Sequence, residues 1–275
     1  MKRIAYLGPE NSFSSLAAKK VQKGGDELMP LPSFCACFRY LHEGKADKAV
    51  VPIENSTEGN VNEVMDELIF QNEKNPVFIT ADLILKIEHF LIGLKGVAFE
   101  KVETIYTHWQ GYGQCRSRLQ EIAPNAKIVF SDSTSAAVQS VKSLTHAAIG
   151  GRQAIKEEHE VYSKAVNDNL DNSTKFVVLS SDNSNCIKND KMSIVFGVEN
   201  KPGRLLKMLE ILEKYKVNMT RLESRPHKTV LGKYVFFVDL GGNQSNDNVI
   251  AALEEIKRAT KFYRFLGNYK RFNML

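Results

Sequence analysis

The stretch Val51–Gly59, VPIENSTEG, decides how this chain is read. Lys48–Val51 has the character of a buried strand end. Pro52 has no N–H to give to a ladder, so the strand is expected to stop there. Glu54, Asn55, Ser56, Thr57 and Glu58 then form an unbroken polar run. Gly59 lets the backbone turn, and Asn60 is placed to cap a helix running to Phe70, with Val61, Val64, Met65, Leu68 and Ile69 on one stripe. Strand end, polar loop and helix start are where open α/β sheets place ligands. A solvated loop with a good helix cap accounts for the same residues, and pattern alone leaves both readings open.

Upstream, Lys2–Leu7 reads as a strand ended by Gly8-Pro9. Ser12 or Ser14 can cap a helix through Val21, and Ser33 a second one, with Phe34, Phe38 and Leu41 inward and Gly44 as its stop. Downstream, Val77–Gly93 predicts one or two strands and Thr104–Thr107 another. Gln110–Ile122 predicts a helix despite Gly111 and Gly113. Lys127–Phe130 is a strand, Ser133 or Thr134 caps a helix through Val141, and Ala147–Ile149 is a short strand before Gly150-Gly151 opens a further helix. Val161–Asp171 is ambiguous, and Lys175–Leu179 is a buried strand. Strands alternating with helices imply a mostly parallel sheet, and the repeat of the pattern after Val77 suggests two lobes.

Ser180–Lys191 is polar and turn-rich, which marks a linker. Beyond it, strand Met192–Val198, a helix with Leu205, Leu209 and Leu212 on one face, strands Val217–Glu223 and Lys233–Leu240, helix Asn248–Arg258 and strand Thr260–Gly267 give the βαββαβ order of a ferredoxin-like unit. A unit of about eighty residues buries little surface alone and gains from pairing with a copy.

The chain has 275 residues, 43% of them hydrophobic, enough for two domains. A net charge of +5 suits small anionic substrates, and the basic, aromatic-rich segment Lys261–Arg271 reads as a strand with one wet face rather than a nucleic-acid patch. The four cysteines, Cys35, Cys37, Cys115 and Cys186, form no C-x-x-C pair, so neither a zinc site nor a dithiol motif is suggested. Met1–Leu7 runs straight into strand-like sequence, and no apolar run is long enough to span a bilayer. The expectation is a soluble cytoplasmic protein with free thiols, binding neither nucleic acid nor membrane.

With its context, VPIENSTEGNVNEVMDEL resembles the prephenate dehydratases, and the resemblance extends over essentially the whole chain. Gly8–Ala18 (GPENSFSSLAA) is similar to the family's opening GPxGTFS motif, with Asn11 and Ser12 in the Gly and Thr positions. Thr107–Cys115 (THWQGYGQC) is similar to its SHPQ…QC segment, Ser131–Ala137 (SDSTSAA) to its ST-A-A segment, and Asn172–Phe176 (NSTKF) to its N-x-T-R-F motif with Lys175 for Arg. Glu223–Pro226 (ESRP) and Gly203–Leu206 (GRLL, for GALV) resemble the ACT domain, the amino-acid-sensing module of this family.

The resemblance implies an α/β fold: a two-lobed, periplasmic-binding-protein-like catalytic part over residues 1–182, a linker over 183–191 and a ferredoxin-like ACT domain over 192–275. Lobe one would take about 1–76 and 165–182, lobe two about 77–164. It implies prephenate as substrate, decarboxylated and dehydrated to phenylpyruvate; L-phenylalanine as inhibitory effector; no cofactor and no metal; and self-association as a dimer or tetramer through ACT and catalytic domains.

The same resemblance assigns Thr174, Glu54, Asn55, Ser56 and Gln114 to catalysis. It assigns Lys175, Ser12, Ser14, Thr107, His108, Asp132 and Phe176 to substrate binding. Gly203, Arg204, Leu205, Leu206, Glu223, Ser224, Arg225 and Pro226 would form the effector site, with the bulk and charge of Arg204 and Leu206 expected to alter phenylalanine binding. Thr174 is too weak an acid to release a proton freely, so it would donate a strengthening hydrogen bond or relay a proton. Glu54, Glu58 or Asp132, its pKa raised beside a dianion, would be the true acid. The plainer readings are His108 as a hydrogen-bonded structural residue, Thr174 as a strand-start hydroxyl satisfying nearby backbone, Cys115 as an apolar filler, and Gly150-Gly151 as a turn.

Two rivals remain at this level. A non-catalytic solute binder with a sensor domain would call for an export segment or DNA-binding helices, neither of which is read here. An ACT-bearing dehydrogenase would need a Gly-x-Gly-x-x-Gly turn after a strand, and Gly8-Pro9 cannot serve. Because the sequence opens at the first strand, a fused chorismate mutase is not expected.

Overall fold

The computed structural model describes residues 1–163, 165–182, 189–228 and 233–272. Residues 183–188 of the expected linker, Cys186 among them, lie outside the described residues. Cys35, Cys37 and Cys115 are free thiols. The chain falls into two compact units: residues 1–37, 49–62 and 84–176, and residues 38–48, 63–83 and 177–275. The architecture is mixed α/β.

In the first unit, strand Arg3–Leu7 pairs in parallel with Glu27–Leu31. The second strand was not expected, because Pro30 sits inside it; only Leu31 of its five residues is buried. Helix Phe13–Val21 connects the two, capped by Ser12, whose Oγ accepts from Ser15 N at 3.1 Å. A five-stranded sheet runs in the order His159–Ser163, Phe90–Leu94, His146–Gly150, Thr104–Thr107, Lys127–Phe130. Leu91, Ile105, Ala147 and Ile149 fill one of its faces; Ile92, Val138 and Ala148 pack on the other.

Several expectations are corrected. The strand does not stop at Pro52 but runs Lys48–Asn55. A ladder partner takes over beyond the proline: Gly59–Asn60 pairs back on it, with Glu54 opposite Asn60 and Asn55 opposite Gly59. Ser56, Thr57 and Glu58 are thus a hairpin tip, closed by Gly59 at φ +80°, a conformation glycine adopts without a Cβ penalty. The next helix begins at Asn62, so Asn60 lies in the hairpin. The expected helix Gln110–Ile122 is two, Trp109–Gly113 and Arg116–Ile122, broken at Gln114-Cys115. Gly151 precedes only a single 3-10 turn, Arg152–Ala154.

The second unit holds the expected βαββαβ: strand Lys191–Gly197, helix Arg204–Lys214, strands Met219–Pro226 and Tyr234–Gly241, helix Asp247–Ala259, strand Phe262–Arg271. Their sheet order is Met219–Pro226, Tyr234–Gly241, Lys191–Gly197, Phe262–Arg271, antiparallel throughout. Met208, Ile211 and Leu212, rather than Leu209, lead the first helix into a core shared with Val249, Leu253 and Ile256 of the second. Strand Phe262–Arg271 has no single wet face: Leu266, Gly267, Asn268 and Tyr269 are consecutively buried. Its end adds a parallel neighbour, Lys270 opposite Ala81 and Arg271 opposite Asp82 of strand Phe78–Lys86.

Candidate active site

The polar stretch that opened the reading meets the N-x-T segment inside the first unit. The anchor is Asn55, at the start of the hairpin tip. Its Oδ1 accepts the backbone N–H groups of Thr57 and Glu58, both at 2.9 Å. A backbone N–H can only donate, so this end of the amide is the oxygen. Asn55 Nδ2 therefore faces the strand Ser173–Ser180, where it donates to Thr174 Oγ1 at 2.9 Å, Asn172 Oδ1 at 2.8 Å and Ser173 O at 3.2 Å. Ser56 ties the same two segments twice more: its N donates to Ser173 O at 2.9 Å, and its Oγ accepts from Ser173 N at 3.0 Å.

Thr174 accepts in this arrangement, and its own proton is left to donate elsewhere. The side chain is 8% exposed, so little water competes for that proton. Strand alternation puts Thr174 and Phe176 on one face and Lys175 on the other. Lys175 is half-buried. Phe176 is buried in the strand's core packing.

The network continues from Asn172. Its Nδ2 donates to Gln114 Oε1 at 2.7 Å, and the same oxygen meets His89 Nε2 at 3.0 Å. Gln114 reaches this point because the helix breaks there. Glycine at 111 allows the approach: a Cβ on it would stand 3.0 Å from Thr134 Cγ2 and 3.1 Å from Thr107 Oγ1. Glu58 belongs to the same neighbourhood, its Oε1 4.0 Å from where a Cβ on Gly113 would stand. His89 is 3% exposed, edge-on to Phe13 at 5.5 Å, with its backbone N held by Asn167 Oδ1 at 2.7 Å. Burial drives its imidazole down to about 4, so the ring is neutral at pH 7.

Other expected residues have local duties. Ser12 caps its helix. Thr107, fully buried, donates to His108 O at 3.2 Å. His108 caps helix Trp109–Gly113, its Nδ1 accepting from Gln110 N at 3.4 Å, and burial lowers its pKa while Asp132 opposes the shift. Asp132 itself is exposed. Ser14 is buried, and Ser135 donates to Asn11 O at 2.8 Å. His89, Asn167 and the side chain of Asn172 were not singled out from sequence. Asn172 was visible in the NSTKF motif, whereas His89 carries no signal beyond a lone histidine ahead of an apolar strand.

In the second unit, the two expected effector motifs stand apart. ESRP ends the edge strand Met219–Pro226, while GRLL opens helix Arg204–Lys214; Tyr234–Gly241 lies between the ESRP strand and Lys191–Gly197. Arg225 grips Asp66 of helix Asn62–Phe70 through Nε at 3.2 Å and Nη2 at 2.9 Å, and Lys228 adds a contact at 3.3 Å. Gly203 has φ +78°. Arg204 pairs with Glu199 at 3.5 Å, beside a cavity of about 180 Å³ that Lys207, Met208 and Lys261 also line. Lys261 and then Lys201 hold the Glu199 carboxyl down to about 2.

Among the described residues no cluster of His, Cys, Asp and Glu has metal-holding geometry, and no helix is long and apolar enough to cross a membrane.

Comparison with known proteins bears on what this amide and hydroxyl network serves. The prephenate dehydratase family profile matches residues 4–184, and the ACT domain profile residues 192–258. A prephenate dehydratase of Lactococcus lactis subsp. lactis is 38% identical, with 99% of each chain covered. The solved prephenate dehydratase of Arthrobacter aurescens in complex with L-Phe is 30% identical, with a TM-score of 0.87 over 98% of this chain and 90% of that one. The same fold also occurs in GqqA, described as a quorum quenching acylase, at 26% identity and a TM-score of 0.84 over 98% of each chain. Fold alone therefore does not decide activity. The profile match and the full-length relatives together make this chain a member of the prephenate dehydratase family, with an ACT domain following the part that carries the network.

Proposed function

We propose that the chain is a prephenate dehydratase, a carbon–oxygen lyase that converts prephenate to phenylpyruvate, carbon dioxide and water, and that L-phenylalanine inhibits it. The observation that carries the reading is the Asn55–Thr174 contact. It presents a buried hydroxyl, already accepting from Asn55, from the NSTKF stretch that matches the family's N-x-T-R-F motif.

The chemistry fits such a donor. The carbon–carbon bond to the ring carboxylate breaks, and its electron pair enters the ring. The opposite ring hydroxyl departs and takes up a proton as water. Hydroxide is a poor leaving group, so a donor aimed at its oxygen is of most use in the transition state, where charge builds up. Thr174 supplies that hydrogen bond. A carboxyl supplies the proton, and of Glu54, Glu58 and Asp132, Glu58 is favoured by its backbone tie to Asn55 and its nearness to Gly113. Gln114 and Ser56 orient the substrate. Of the two carboxylates of prephenate, the one on the pyruvyl side chain persists through the reaction and suits a cation; Lys175 is the candidate to hold it, reaching it around the strand. No cofactor is called for.

Residues 1–182 would be the catalytic part and 192–275 the regulatory one. Among the described residues the strand bearing ESRP stands at the end of its sheet order, which suits self-association with a second copy whose GRLL segment completes an effector site. The L-Phe bound to the Arthrobacter relative supports the same effector here. A cytoplasmic location is in keeping with this role.

The test is to add prephenate and follow phenylpyruvate by its absorbance in alkali, with and without L-phenylalanine. Turnover that falls with the amino acid supports the reading; no turnover removes it.

A further inference from the structure

One buried ring in the first unit has no part in the chemistry above. His89 lies at the far end of the hydrogen-bond chain that begins at Asn55, and the sense of every bond in that chain is fixed. The backbone donors of Thr57 and Glu58 set Asn55 Oδ1. Asn55 Nδ2 then sets Asn172 Oδ1, Asn172 Nδ2 sets Gln114 Oε1, and Gln114 Oε1 requires a proton on His89 Nε2. Nδ1 is left as a bare acceptor, buried and without a partner among the described residues. The tautomer is thus dictated from the hairpin tip, through the three side-chain amides of Asn55, Asn172 and Gln114.

The reverse dependence carries the consequence. Gln114 is half-buried, and no described residue engages its NH2. Two donors converge on its Oε1, one from Asn172 and one from His89. Together they keep the amide from turning over, so that it presents a donor rather than a carbonyl. A carbonyl in that place would repel an anionic substrate and a departing hydroxide alike.

Resting on the prephenate reading, we propose that His89 is a positioning residue for the dehydration, whose Nε2–H locks Gln114 with its NH2 toward the substrate and so steadies the Asn172–Asn55–Thr174 chain. It touches neither substrate nor reacting atoms. Neutrality favours this role, since a ring without charge adds no competing field beside the departing hydroxide.

The experiment is a double-mutant cycle on the full-length chain, reading kcat and KM for prephenate together with melting temperature. His89→Leu, which removes the donor, is expected to lower kcat about 10- to 100-fold, with KM changed less than about threefold, as for loss of an interaction used mainly in the transition state. His89→Gln, which can still donate, should recover kcat to within about threefold of wild type. In a Gln114→Ala background His89→Leu should cost nothing more, because its action runs through Gln114. If His89→Leu does not fold, His89→Phe fills the ring's volume without a donor and takes its place. Wild-type kcat in the donorless variant overturns the proposal. So does a Gln variant as impaired as it, or an equal loss in the Gln114→Ala background. A wild-type enzyme that leaves prephenate untouched overturns the dehydratase reading and this proposal together, whereas an active wild type with a silent His89→Leu overturns this proposal alone.

Discussion

Acid should unfold this protein partly through one side chain. The folded chain accepts a proton on His89 only near pH 4, because burial penalises the imidazolium. Once unfolded, the same ring takes its proton near pH 6.5, the ordinary value. Between those pH values the unfolded state binds the extra proton, so stability falls as pH falls. Above about pH 7 neither state is charged and the group contributes no pH dependence; below about pH 4 both are charged and the loss is complete. At 1.36 kcal/mol per pH unit the full loss is about 3 kcal/mol, of which about 2 kcal/mol has gone by pH 5. The assay is urea unfolding at several pH values between 7.5 and 4.5, on wild type and His89→Gln. His108 and His159 are also shifted down by burial, but both proteins retain them, so they cancel in the difference. Wild type should lose about 2 kcal/mol relative to the variant between pH 7.5 and 5. Parallel stability curves would refute the reasoning, since they would mean that the ring ionises alike in both states.

Three further outcomes follow from single contacts. Gly111→Ala places a methyl against Thr134 and Thr107, and should cost about 1–3 kcal/mol by overpacking and lower activity by displacing Gln114; thermal unfolding and prephenate turnover check both. Lys191→Met removes the closest cation from Asp82, a fully buried carboxylate it meets at 2.6 Å, and leaves only half-exposed Arg271 at 3.5 Å. A loss of about 3 kcal/mol in urea unfolding is expected, and a shift below about 0.5 kcal/mol would show the pair to be dispensable. Lys175→Met should raise KM if that lysine holds the persisting carboxylate, and leave it unchanged if the strand face on which it lies keeps it away.

The C-terminal βαββαβ unit was legible because its six elements are local patterns, each with its own turn and apolar period. Asn55, Ser56, Thr174 and Gln114, each legible as a motif residue, lie along one hydrogen-bond network. What was hidden had a common cause: pairing partners distant in sequence. Pro52 reads as a strand end because its missing N–H is a local fact, whereas Gly59–Asn60, which keeps the strand going, is seen only once the hairpin closes. Gly111 breaks no pattern until Thr107 and Thr134 crowd it from other segments. His89 becomes meaningful only through an oxygen on Gln114, twenty-five residues on. Arg225 could be read from its motif as an effector ligand, but its two donations to Asp66 Oδ1 span 159 residues and leave no trace in either neighbourhood.

The most direct test is the turnover of prephenate by Thr174→Val, beside wild type and with the fold verified by circular dichroism. Valine keeps the shape and removes the one proton that Asn55 leaves free to donate. Phenylpyruvate formation should drop about 10²- to 10³-fold, the usual cost of losing a single transition-state donor. A folded variant that turns over prephenate at near the wild-type rate would contradict the account.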